Sequence, residues 1–152
     1  MEEPKRILTL FENLYNGDPW LDVTLMGTLE NITAEKAAEK KIADRNSIWE
    51  ITNHIIEWRK NVLQRVHGKT LKTPQHNYFL PVEDTSAAAW KNTIEKLRAS
   101  EKEWEAFLNQ MKSSDLETVH PMNGHTHYEH IHGIIQHDAY HLGQIVMLVK
   151  HP

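Results

Sequence analysis

Ser47-Ile48-Trp49-Glu50-Ile51-Thr52-Asn53-His54-Ile55-Ile56-Glu57-Trp58 is the stretch whose reading decides the fold. Ser47 followed three residues later by Glu50 is a capping box, in which hydroxyl and carboxylate reciprocally satisfy the free backbone N–H groups of a helix start. Ile48, Ile51, Ile55, Trp58 and Val62 then recur at spacings of three and four, which puts them on one face of a helix. His67-Gly68 ends it, with glycine as the terminator.

The same period recurs on both sides. Residues 4–16 open with Pro4 in a first turn and align Ile7, Phe11 and Leu14, with Asn16-Gly17 as the stop. Between 18 and 45 the pattern is mixed. Trp20, Val23, Leu25 and Leu29 suit a short helical piece before the charged run TAEKAAEKK, so this span reads as a structured connection. Residues 68–84 contain Pro74 and Pro81 without periodicity, a long link that crosses the bundle or lids a pocket. Trp90, Ile94, Leu97, Trp104, Leu108 and Met111 predict a helix over 85–112, with Glu101 as the one carboxylate on its core seam and therefore in need of a partner. A break over 113–125 leads to Thr126-His127-Tyr128-Glu129, a second capping box. A wide apolar arc from Ile131 to Val149 then carries a helix to about Lys150. Trp49, Trp58, Trp90 and Trp104 read as core filling, and Gly133 and Gly143 as points of close helix contact. The expectation is all-α: residues 1–152 as a single-domain four-helix bundle with long connections.

Composition narrows the function. A chain of 152 residues suits one ordinary domain, and 39% hydrophobic with 25% charged residues supports a real core. Seventeen Lys+Arg against 21 Asp+Glu, with no basic tract, argues against nucleic acid as a partner. The absence of Cys excludes disulfides, Cys-ligated zinc and a protein thiol nucleophile. MEEPKRILTLFENLY lacks the basic and apolar regions of an export signal, and no apolar run reaches membrane-spanning length, so a cytoplasmic protein off the membrane is expected.

Eleven histidines are the unusual number, because seven of them lie between His120 and His141. His137 and His141, four residues apart, sit about 40° apart around a helix axis and about 6 Å along it, so two imidazoles can share one metal ion. Their row collects His130, Ile134, Ile145 and Leu148, an apolar face on which a polar pair must be satisfied. His54 flanks the Ile51/Ile55/Trp58 stripe and points inward. Together the three would form a three-histidine metal site with an open fourth position for water or substrate. The plainer alternative for His54 is a core-edge histidine bonded to a carboxylate or carbonyl. His120, His125, His127, His132 and His151 read as loop, cap or surface residues, and His130 as a pocket wall or substitute ligand. A di-iron site fails because Glu117-xx-His120 abuts Pro121, leaving only Glu129-xx-His132. Haem fails because His137 and His141 share a helix.

HDAYHLGQI at 137–145, with SIWEITNHIIEW at 47–58, Trp20 and the TAEKA stretch, resembles the DinB/YfiT-like family over about residues 8–150. Leu21-Asp22 stand where many members carry a His-Gly-like pair. The resemblance implies a four-helix bundle, a homodimer, and a divalent metal, zinc or nickel, held by His54, His137 and His141. It also implies a metal-dependent hydrolase or a thiol transferase of the bacillithiol or mycothiol kind. The expected partners are a small-molecule substrate, such as a low-molecular-weight thiol, and a second copy of the chain.

A divalent ion on three neutral imidazoles keeps its charge, and so activates water or holds a thiol as thiolate for attack on an electrophile. Glu101, Asp138 and Gln144 are the candidates to orient the imidazoles. Two other classes compete with the enzyme: a non-catalytic metal-binding, stress-response dimer whose 120–141 segment buffers metal, and a structural dimer that binds none.

Overall fold

The computed structural model describes residues 2–151. Four long helices carry it: α1 (Glu3–Asn16), α4 (Ile48–Val66), α5 (Ala87–Gln110) and α6 (His127–Lys150). Two short ones, α2 (Leu25–Leu29) and α3 (Ala34–Ala38), lie between α1 and α4. A 3-10 turn, Ser113–Glu117, precedes α6, and among the described residues the only β-type pairing is an isolated bridge between Val119 and Thr126.

Both capping boxes form. Ser47 Oγ accepts from the Glu50 amide at 3.2 Å while Glu50 Oε2 accepts from the Ser47 amide at 2.7 Å. Thr126 and Glu129 repeat the exchange at 3.1 and 2.7 Å. The 18–45 connection is more ordered than its composition suggests. Thr24 and Thr33 each cap a five-residue helix, and the charged TAEKAA run becomes helical because Ala34 and Ala37 face the core. Trp20 stays outside, 99% exposed, so it does not belong to the short helix.

α4 packs chiefly on α6 and α5, and α1 on α5. The apolar residues divide into two clusters. One joins α2, α3, the first halves of α4 and α5 and the end of α6 around Ile55, Leu97 and Leu142. The other joins α1, the second halves of α4 and α5 and the start of α6 around Phe11, Trp104 and Ile131. Buried indole N–H groups are placed with care in the first cluster: Trp49 donates to Thr93 Oγ1 at 2.9 Å and Trp90 to the Ile32 carbonyl at 2.8 Å. In the second, Trp104 stacks on Phe11 at 4.9 Å but its Nε1 has no partner.

Three sequence expectations change. Trp58 is half-buried: it packs on the edge of the second cluster and also forms a cavity wall. Gly133 and Gly143 are exposed, and a Cβ on either would meet nothing within 4 Å, so neither permits a close helix crossing. His120 is buried at 2% exposure, because its Nε2 donates to the Lys69 carbonyl at 3.1 Å and its Nδ1 accepts from the Met122 amide at 3.3 Å. Among the described residues no helix is long and apolar enough to cross a membrane.

Trp104 supplies the test of this packing. Trp104→Ala is expected to cost about 3–5 kcal/mol in urea unfolding. Trp104→Phe should cost clearly less, because it keeps the stack on Phe11 and removes an indole N–H that is buried without an acceptor.

Candidate metal centre

Between the two apolar clusters runs a polar layer. Arg59 of α4 is 1% exposed; its guanidinium bonds Glu101 of α5, donates to Ser100 Oγ at 3.1 Å and ion-pairs through Nε with Asp138 Oδ2 of α6 at 3.2 Å. The carboxylate expected to need a partner on the α5 seam therefore has one. Burial still pushes the Glu101 carboxyl above its ordinary range, with Arg59 opposing. Arg59 itself follows Ile55 by four residues and precedes Val62 by three, so it lies on the apolar stripe. A cation on that stripe was the available sign that α4 supplies Glu101's counter-charge.

The three histidines sit beside this layer. α6 carries His137 and His141 one turn apart, and α4 brings His54 against them; one nitrogen from each ring lies within 4.8 Å of the other two. His54 is 1% exposed. Each Nδ1 faces an acceptor. That of His54 donates to the Asn77 carbonyl at 2.6 Å, that of His141 to Gln144 Oε1 at 2.7 Å, and that of His137 reaches Asp138 Oδ1 at 3.3 Å. With hydrogens so placed, the lone pairs fall on the Nε2 atoms, and those of His54 and His137 stand 2.9 Å apart. Two facing lone pairs at that distance need a shared proton or cation between them. The donor set thus fits a metal ion: three nitrogens, all from the neutral form, each ring oriented by a fixed acceptor.

Electrostatics agree. Burial pushes the His54 pKa down to about 4 despite its bond to Asn77, and burial lowers that of His141 as well. Both rings are therefore neutral near pH 7, as ligation requires.

The 68–84 connection completes the centre. Asn77 and Tyr78 adopt positive φ, 49° and 62°, which turns the chain so that the Asn77 carbonyl meets His54. Asn77 Oδ1 accepts from Trp58 Nε1 at 3.0 Å, and Phe79 stacks on the His54 ring at 3.8 Å. Asn77 and Phe79 were not legible in the sequence; an asparagine tolerant of the left-handed region was the only hint. Of the three candidates to orient the imidazoles, Gln144 and Asp138 touch them, whereas Glu101 acts on Arg59. Gln144 is fixed in turn by donating Nε2 to the Tyr140 hydroxyl at 3.0 Å.

The three rings open onto a cavity of about 620 Å³ whose walls include Ile51, Phe79, Met147 and Leu148. His137 and Trp58 also border a second cavity of about 740 Å³, with Arg65, His130 and His132 among its other walls. His130 is thus a wall residue and stands outside the three-histidine cluster. Burial and the nearby Arg65 push its pKa down to about 4.

A sequence model of the DinB superfamily matches residues 23–145, most of the chain. Nothing among curated proteins or solved structures matches it.

Two outcomes follow from these charges. Arg59→Met leaves Asp138 and Glu101 buried without their cation and is expected to cost about 3–5 kcal/mol in urea unfolding, with much of the loss recovered when Glu101→Leu and Asp138→Asn are added. For the metal-free protein, His54 and His130 fold with pKa values of about 4 against ordinary values of 6.5. Between those values the unfolded chain binds protons that the folded chain does not, so stability is full above about pH 6.5 and falls on acidification. Melting temperature should drop from about pH 7 to about pH 4.5, and the slope should be shallower in His130→Gln.

Proposed function

The chain belongs to the DinB superfamily, and we propose that it is a metal-dependent member that holds one divalent cation through Nε2 of His54, His137 and His141 and uses it to activate water or a small thiol against an electrophilic substrate. The observation that carries this reading is the common orientation of the rings, each Nδ1 turned to an acceptor and away from the shared centre. Acceptors would also satisfy histidines that only pack; what singles out this cluster is that, with each Nδ1 so engaged, the Nε2 atoms of His54 and His137 face one another at 2.9 Å.

The bound ion would supply a Lewis acid that makes water or a thiol nucleophilic near neutral pH. The chain's own residues set the conditions for that chemistry. Neutral His54 and His141 keep their lone pairs available across the physiological range, because burial resists their protonation. Gln144, Asp138 and the Asn77 carbonyl fix tautomer and ring angle. Phe79, stacked on His54, shields one flank of the cluster from water, while the 620 Å³ cavity leaves the other side open to a substrate. Three protein donors, and not four, are the pattern of a site that reserves a position for reaction. The chain has no Cys, so in the thiol-transfer version the nucleophile arrives as a second small molecule, of the bacillithiol type. Zinc and nickel both suit neutral imidazole. A homodimer, which the family resemblance implies, acting in the cytoplasm belongs to the same reading.

Elemental analysis of untagged protein is the test. About one zinc or nickel per chain is expected, with loss of the ion in His54→Ala, His137→Ala and His141→Ala. Gln144→Ala should keep the ion but weaken it by roughly 10–100-fold, the usual effect of removing a group that orients a ligand. Wild-type protein that contains no metal and takes up neither zinc nor nickel at micromolar concentration would refute the reading. Given a bound ion, hydrolysis and thiol-transfer assays with and without an added low-molecular-weight thiol separate the two reactions.

A further inference from the structure

The cavity beside the three imidazoles has an uneven charge. The chain as a whole is acidic, with 21 Asp+Glu against 17 Lys+Arg, yet no carboxylate lines this cavity. Its polar walls include Asn46, Asn77, Tyr140 and Gln144, together with the three histidines His54, His137 and His141. The one fixed charge in the lining is Arg45, which is exposed at the rim and makes no ion pair among the described residues. Ile51, Phe79, Met147 and Leu148 give the rest of the wall an apolar surface.

We infer that this cavity selects a small amphipathic carboxylate, with an apolar body against Phe79, Met147 and Leu148 and its carboxylate paired with Arg45. A guanidinium matches a carboxylate in two parallel hydrogen bonds, and a cation at the rim directs its field into a cleft whose lining holds no carboxylate to cancel it. A cationic molecule meets only repulsion from Arg45, and it finds no carboxylate in the lining to offset that. The inference rests on the reading of this cavity as the substrate side of the metal centre, where a held dication would add to the same preference for anions.

Hexanoate and hexan-1-ol, equal in length and different in charge, are the probes. Each is titrated into the metal-free protein while the side-chain amide signals of Asn46 and Gln144, both in the cavity wall, are followed by NMR. Hexanoate should bind about tenfold more tightly than the alcohol in wild type. Arg45→Gln should erase that difference without changing the affinity for hexan-1-ol, which also shows that the variant retains its cavity. Equal affinity for the two probes in wild type, a hexanoate preference that survives Arg45→Gln, or shifts confined to residues outside the cavity would each overturn the inference. Loading with cobalt, read by its visible ligand-field bands, separates the two readings. Hexanoate selection in a protein that shows no cobalt bands and takes up neither zinc nor nickel sinks the metal centre and leaves the carboxylate site standing. Cobalt bands without hexanoate selection sink this inference alone.

Discussion

A guanidinium buried in the middle of a helical bundle is the constraint on which the rest of this structure depends. Arg59 is almost wholly removed from water, and an unpaired charge there would cost several kcal/mol even after relaxation. It is tolerable only because α5 brings Ser100 and Glu101 and α6 brings Asp138 to the same level. A slip of either helix by one turn, about 5.4 Å, would part these partners. The ion network therefore specifies the register of three helices, which the surrounding apolar contacts alone would specify less sharply. Hydrophobic burial is non-directional, whereas a guanidinium must meet its acceptors in a fixed fork.

The three histidines inherit that register. His54 lies five residues before Arg59 on α4, and His137 and His141 flank Asp138 on α6. Aligning Arg59 with Asp138 consequently aligns the imidazoles across the same helix pair. Asp138 links the two systems directly, with Oδ2 toward Arg59 and Oδ1 toward the His137 ring. Part of its charge is thus engaged by the cation, and the remainder orients the imidazole. The pKa of Glu101 is raised first by its burial, with the charge of Asp138 adding to the shift and Arg59 opposing it.

The third imidazole acceptor comes from outside the helices. The positive φ at Asn77 and Tyr78 bends the 68–84 connection onto α4, where Asn77 serves twice, its backbone oxygen taking the His54 proton and its side chain the Trp58 indole N–H. A segment with no apolar periodicity is nevertheless held by specific polar contacts, including Asn61 Nδ2 to the Tyr78 hydroxyl at 2.8 Å. This is the usual division of labour in such proteins, rigid helices carrying the reactive side chains and a connection shaping their surroundings. For a DinB superfamily chain with a partly apolar, carboxylate-free cavity, that connection and the rim at Arg45 are where its choice of ligand would be made.

The sequence by itself determined the four long helices, their capping boxes at Ser47 and Thr126, the inward face of His54 and the pairing of His137 with His141. All of these follow from the 3.6-residue period or from a cap motif spanning four residues, so they are written in short stretches of chain. It also marked Glu101 as a charge in need of a partner. Only the tertiary structure decided that the partner is Arg59, that Asn77 orients His54, that Trp58 faces cavities, and that Gly133 and Gly143 stand in open space. The physical reason is the same in each case. These contacts join elements distant in the chain, and some use a backbone carbonyl, which every residue carries and no residue type advertises.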